Sequence, residues 1–136
     1  MTMNKITDLR VMILTALNAI AARQANASED TEQTLHHLLD YCSTYPNDGI
    51  TYRANNMILC AHSDAGLNNE TNGHSRAGAH IFLSDKSPRP PWNGPILSIA
   101  LLIKFILSSA AEAELGALYT TAKEMIRLRQ ALIEIG

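Results

Sequence analysis

Leu107 to Gly136 reads LSSAAEAELGALYTTAKEMIRLRQALIEIG, and this stretch decides the fold. Its periodicity predicts one long helix with a defined start. Ser109 stands three residues before Glu112, the spacing of a capping box, in which hydroxyl and carboxylate each satisfy an otherwise unpaired backbone N–H. Apolar residues recur at Ala111, Leu115, Leu118, Ala122, Met125, Leu128, Leu132 and Ile135, steps of three and four that predict one buried stripe. Lys123, Glu124, Arg127, Gln130 and Glu134 fall on the opposite face, and Gly136 stands where helices commonly end.

The helical wheel separates the two carboxylates of the first turns. At about 100° per residue, Glu112 points to the flank, where capping accounts for it. Glu114 falls within the stripe, about 40° from Leu118. An ionised carboxylate facing a core is unfavourable unless it is paired, hydrogen-bonded or bound to a cation. At the rim, Glu114 would instead reach water past Ala110 and Ala117. Periodicity alone leaves both readings open, since Arg129 falls within the same stripe.

Working outward, the chain of 136 residues is long enough for one domain with a modest core. Its 46% hydrophobic and 18% charged residues describe a folded chain rather than a disordered one. The formal net charge of −2 lacks the basic excess that accompanies autonomous nucleic-acid binding. Cys42 and Cys60 are too few for a disulfide framework and lack metal-site spacing, which fits a reducing, intracellular compartment (cytoplasm or nucleus). The first residues show no signal-peptide pattern.

Ile6 to Gln24 has a helical pattern, Asn26 to Asp30 is a polar break, and a shorter helix is predicted from Thr31 to Cys42. His36 and His37 are adjacent there and point in different directions, as surface residues do. Pro46-Asn47-Asp48-Gly49 is a turn signal. Beyond it the period changes. Ile50 to Arg53 and Met57 to Ser63 flank Asn55-Asn56, which predicts a hairpin. Met57 to Ala61 is a continuous apolar run, the mark of a strand covered on both faces, and Asp64 stands at its end. Ala77 to Leu83 and Ile96 to Leu107 are further strands. The second is too short and too interrupted for a membrane span. Lys86 to Pro95 is a loop whose Trp92 covers an edge of the core. A zinc site from His62, His74, His80 and a Cys lacks the local spacing of familiar zinc motifs.

The order strand, strand, strand, long helix sets Asp64 at a strand end and Glu114 at a helix start. Two carboxylates at a shared end are half of what a two-metal phosphodiester hydrolase needs, with its ions roughly 4 Å apart.

Several blocks together resemble the ribonuclease H region of a copia-type retrotransposon polyprotein, with the segment joining it to reverse transcriptase. They are Leu38-Leu39-Asp40-Tyr41 with Tyr45-Pro46-Asn47, Ile50-Thr51-Tyr52-Arg53-Ala54, His62-Ser63-Asp64-Ala65, Ser75-Arg76-Ala77-Gly78 and Phe82-Leu83-Ser84. The most specific is Ser108-Ser109-Ala110-Ala111-Glu112-Ala113-Glu114-Leu115-Gly116-Ala117-Leu118. The resemblance covers nearly the whole chain. It implies an α+β, ribonuclease H-like fold in truncated form: two N-terminal helices, a three-stranded antiparallel sheet and one long C-terminal helix. Residues 1–46 would be the helical connection segment and 47–136 the first half of the nuclease domain. By the resemblance, Asp64 matches the first metal-binding Asp and Glu114 the catalytic Glu, holding Mg²⁺ or Mn²⁺ for cleavage of RNA in an RNA–DNA hybrid. Similar enzymes carry further acidic residues beyond the helix, and this sequence ends at Gly136 before them. The expectations are therefore weak metal binding, little or no nuclease activity, and self-association through an exposed sheet edge. The alternative is a non-catalytic interaction or assembly module of retroelement origin.

Overall fold

The computed structural model describes residues 4–6 (as backbone), 13–68 and 70–136, without the side chains of Thr15 and Thr71. The chain divides into two compact units, Thr2–Tyr52 and Arg53–Gly136.

In the first unit, β1 (Asn4–Ile6) pairs antiparallel with β2 (Ile50–Tyr52), Asn4 opposite Tyr52 and Ile6 opposite Ile50. Between them lie α1 (Leu14–Ala22), a 3₁₀ turn at Gln24–Asn26 and α2 (Glu29–Thr44). Ser28 starts α2 with a reciprocal cap. Its hydroxyl accepts from the Thr31 N–H, and the Thr31 hydroxyl accepts from the Ser28 N–H. Glu29, Asp30 and Glu32 then place negative charge in the first turn, where the helix dipole favours it. The helix predicted from Ile6 is thus corrected: Ile6 is in a strand, the helix begins at Leu14, and residues 7–12 of that expectation lie outside the described residues. The boundary between the compact units falls after Tyr52, because β2 pairs with β1.

The predicted hairpin across Asn55-Asn56 does not form. The Asn56 N–H donates to Asp85 Oδ1 and the Met57 N–H to Asn55 Oδ1. Met57 adopts a positive φ of 61°, so the chain is bent by side-chain bonds before the next strand begins.

The second unit is an antiparallel meander, β3 (Ile58–Gly66), β4 (Ser75–Ser84) and β5 (Pro95–Ile103), followed by α3 (Ala110–Ile135). Among the described residues the molecule is therefore α+β, with the three-stranded antiparallel sheet and three helices that were expected. Register puts Ala61, Ser63 and Ala65 of β3 beside Ile81, Ala79 and Ala77 of β4 on one face. Ile99, Leu101 and Ile103 of β5 continue that face. Gly116 of α3 comes against Ile103, where an added Cβ would lie 3.5 Å from Cδ1, so α3 lies on this side of the sheet. It packs chiefly on β3 and β4 and only marginally on β5.

The helix is rotated from the predicted stripe. Ala113, Ala117 and Thr121 are its buried residues, while Leu115 and Leu118 are 66% and 55% exposed. The cause lies in the sheet. On β3 and β4, where α3 chiefly packs, the facing side chains are mostly alanine and serine, so the closest approach is won by the helix edge that is itself smallest. Met125, Leu128 and Leu132 stay half-buried further along. Thr121 is accommodated because its hydroxyl donates to the Ala117 carbonyl at 2.8 Å.

The opposite face carries Cys60, His62 and Asp64 of β3 beside Phe82, His80 and Gly78 of β4. The β4–β5 loop folds over its Phe82 end. Ser84 donates to the Pro91 carbonyl at 2.7 Å, and the side chain of Asn93 bonds both backbone groups of Arg53 and the Leu83 carbonyl. Phe82 and Ile81, one on each face, are fully buried and anchor the core.

Candidate metal site at the end of the sheet

β3 and β5 both run antiparallel to β4, so they finish at the same end of the sheet, and α3 starts beyond that end. Asp64 lies two residues before β3 finishes, and Glu114 lies in the first turns of α3. The two predicted carboxylates are therefore brought to one end of one unit by topology.

They do not share a face. Asp64 is opposite Gly78, on the side away from α3, and is exposed. Gly78 leaves the ground beside it open: a side chain there would meet only the carbonyl oxygens of Asp64 and Ile99, each at 3.9 Å. Glu114 is also exposed rather than set in a buried stripe, which corrects that reading. It sits one residue past Ala113, on the flank that also carries Leu118, Met125 and Leu132. Further along, this flank borders a groove formed with Met57, Ile58 and Leu59 of β3. Within the sheet β3 pairs only with β4. Glu114 thus lies on the flank of α3 whose later residues adjoin β3, the strand whose outer face carries Asp64.

The other acidic residue of the block behaves as a cap. Ser109 Oγ accepts from the Glu112 N–H at 3.2 Å. The Glu112 carboxylate accepts from the Ser108 N–H at 2.8 Å and from its hydroxyl at 3.0 Å, one residue earlier than an ideal box would place it. The backbone N–H of Ser108 lowers the Glu112 pKa below its ordinary 4.5, helped by the Ser108 hydroxyl. Glu112 is occupied locally and is no ligand candidate.

Sequence reasoning gave no role to the rings beside Asp64. His62 stacks on Trp92 with centroids 4.2 Å apart, and His62, His80 and Trp92 all lie within 5.8 Å of the Phe82 ring. His80 Nε2 lies 2.9 Å from the Asn93 carbonyl. The period-two spacing of His62 and Asp64 is the signal that puts them on one face. Burial raises the Cys60 pKa, which keeps that thiol protonated and unreactive at neutral pH. His36 is a surface residue, 3.7 Å from Glu32 on α2.

Chemically, the end of the sheet offers two exposed hard-oxygen donors. Among the described residues, no group of three or more His, Cys, Asp or Glu side chains is positioned to hold a metal ion. No helix among them is long and apolar enough to cross a membrane. The chain matches no protein-family model, no curated protein and no solved structure.

Proposed function

We propose that Arg53–Gly136 is the first half of a ribonuclease H-type domain of a copia-type retrotransposon polyprotein, and that the preceding unit is its connection segment. The observation that carries this reading is topological. An antiparallel meander is followed by a helix that returns across the first strand, setting Asp64 and Glu114 at the same end. Bound there, Mg²⁺ or Mn²⁺ would activate water and stabilise the leaving oxygen on the RNA strand of an RNA–DNA hybrid. Asp64 and Glu114, on opposite sides of the sheet at that end, would each offer a charged oxygen ligand.

Two carboxylates do not complete that chemistry. Mg²⁺ requires near-octahedral coordination and keeps waters where protein ligands are lacking, so these residues bind one hard cation weakly. A two-metal clamp needs several ligands shared between its ions. The chain by itself is expected to hold Mn²⁺ at the end of β3 without cleaving hybrid.

Mn²⁺ titration followed by paramagnetic broadening of amide signals tests the site. Broadening should centre on Asp64 and Glu114 and be lost in Asp64→Asn, and broadening elsewhere would refute the assignment. Hybrid cleavage above background that disappears in Asp64→Asn would refute the expected inactivity while supporting the family reading.

A further inference from the structure

We infer that Asn72 is a site of spontaneous covalent modification, converting to isoaspartate and aspartate, while the fold shields the same dipeptide at Asn93. The inference does not rest on the nuclease reading. Asparagine followed by glycine occurs at Asn72-Gly73 and again at Asn93-Gly94. In such a pair the backbone nitrogen of the glycine attacks the side-chain amide carbon of the asparagine. A bond forms between that nitrogen and Cγ, and the bond from Cγ to Nδ2 breaks. The side-chain nitrogen leaves as ammonia, taking up a proton to replace the one the glycine nitrogen loses, and a cyclic succinimide remains. Water then opens the ring. Attack at the side-chain carbonyl gives aspartate, and attack at the backbone carbonyl gives isoaspartate. Water is the only co-reactant.

Asn72-Gly73 stands at the tip of the turn that joins β3 to β4. Asn72 has a φ of 63° and Gly73 a φ of 71°, both in the left-handed region. Glycine enters and leaves that region at little cost because it lacks a Cβ. A Cβ built on Gly73 meets no atom within 4 Å, so this peptide has room to rotate toward the Asn72 side chain. Asn72 is exposed. Among the described residues, no hydrogen bond holds its side-chain amide. The turn is clamped below the tip. The Glu70 N–H donates to the His74 carbonyl at 3.1 Å, the Asn68 N–H donates to Ser75 Oγ at 3.1 Å, and the Arg76 guanidinium pairs with the Glu70 carboxylate. Reaction at Asn72 therefore alters the tip and leaves the strands paired.

Asn93-Gly94 has the same chemistry in opposite surroundings. Asn93 Oδ1 accepts from the Arg53 N–H at 2.7 Å and from the Gly94 N–H at 3.0 Å. Its Nδ2 donates to the Arg53 carbonyl at 3.0 Å and to the Leu83 carbonyl at 2.8 Å. Ring closure removes Nδ2 and deprotonates the Gly94 nitrogen, so these bonds are lost. Gly94 is also buried, which keeps base from its N–H. Reaction there has to wait for local opening of the β4–β5 loop.

The product at Asn72 carries one more negative charge, taking the formal net charge from −2 to −3. Because β3 finishes at Gly66 and the turn follows, that carboxylate is added at the end of the sheet towards which Asp64 lies.

Incubation of the full chain in mildly alkaline buffer, followed by tandem mass spectrometry of its peptides, tests the inference. Asn72 should gain the mass difference between a carboxyl and an amide at least about tenfold faster than Asn93. In urea, where the hydrogen bonds of Asn93 are gone, the two rates should converge. Asn72→Gln, whose longer side chain closes only a larger ring, should lose the fast acidic product on ion exchange and keep the wild-type circular dichroism spectrum. Equal rates at Asn72 and Asn93 in the folded chain overturn the inference. So does an Asn72 that stays intact in the folded chain for as long as the urea-unfolded chain takes to react.

Discussion

At the residue scale, the most local signals were read correctly. Ser109 and Glu112 lie within four residues of their partners, so spacing alone settles what they do, apart from the shift of the carboxylate to Ser108. This has a pH consequence. The folded-state pKa of Glu112 is lowered, so its stabilising contribution is present above the ordinary 4.5 and is lost as pH falls through the folded value. Thermal unfolding of wild type and Glu112→Gln should therefore differ at pH 6 and converge as the pH is lowered well below 4.5. A difference that persists unchanged in acid would show that Glu112 acts through something other than its charge. Glu114 was harder to read. Whether it faces core or water depends on how the helix is rotated over the sheet, and nothing within its own turn encodes that.

At the element scale, the strands and helices of the second unit appear where hydrophobic period places them, but the buried side of α3 does not. Periodicity ranks residues by hydrophobicity, whereas close packing on a sheet of small side chains selects for size. Ala113 and Ala117 are completely buried, and the larger Leu115 and Leu118 are displaced to the flank. Two substitutions separate the two stripes. Ala117→Leu should cost about 1–3 kcal/mol, because added methylenes find no room between helix and sheet. Leu118→Ala, measured at a concentration low enough to avoid association, should change stability by no more than about 0.5 kcal/mol. Urea denaturation gives both values, and the reverse order would restore the stripe drawn from periodicity. The failed hairpin has a similar lesson. Asn55-Asn56 is a turn signal, yet the Asn55 side chain bonds the backbone of the bend itself, and β2 takes its partner from near the start of the sequence.

At the scale of the whole molecule, stability is unevenly distributed. Among the described residues, the buried apolar ones Ala77, Ile81, Phe82, Ile99, Ala113 and Ala117 belong to Arg53–Gly136, and Leu38 to the first unit. Burial of apolar area dominates folding free energy, so the second unit should fold without the first. A chain of residues 53–136 should retain a cooperative thermal transition. In the full chain, α2 amides should exchange hydrogen faster than those of β4. Equal protection of α2 and β4 would show that the first unit carries more stability than its core indicates.

The sequence by itself determined the order of strands and long helix, the cap of that helix and the presence of Asp64 at a strand end. These follow from period, turn chemistry and capping, which act over a few residues. Only the tertiary structure decided the rotation of α3, the pairing of β1 with β2, and the opposite faces of Asp64 and Glu114. Each of these depends on which surfaces meet and how closely they approach. That closeness is set by side-chain size across the interface, a property of two distant segments that neither segment carries alone.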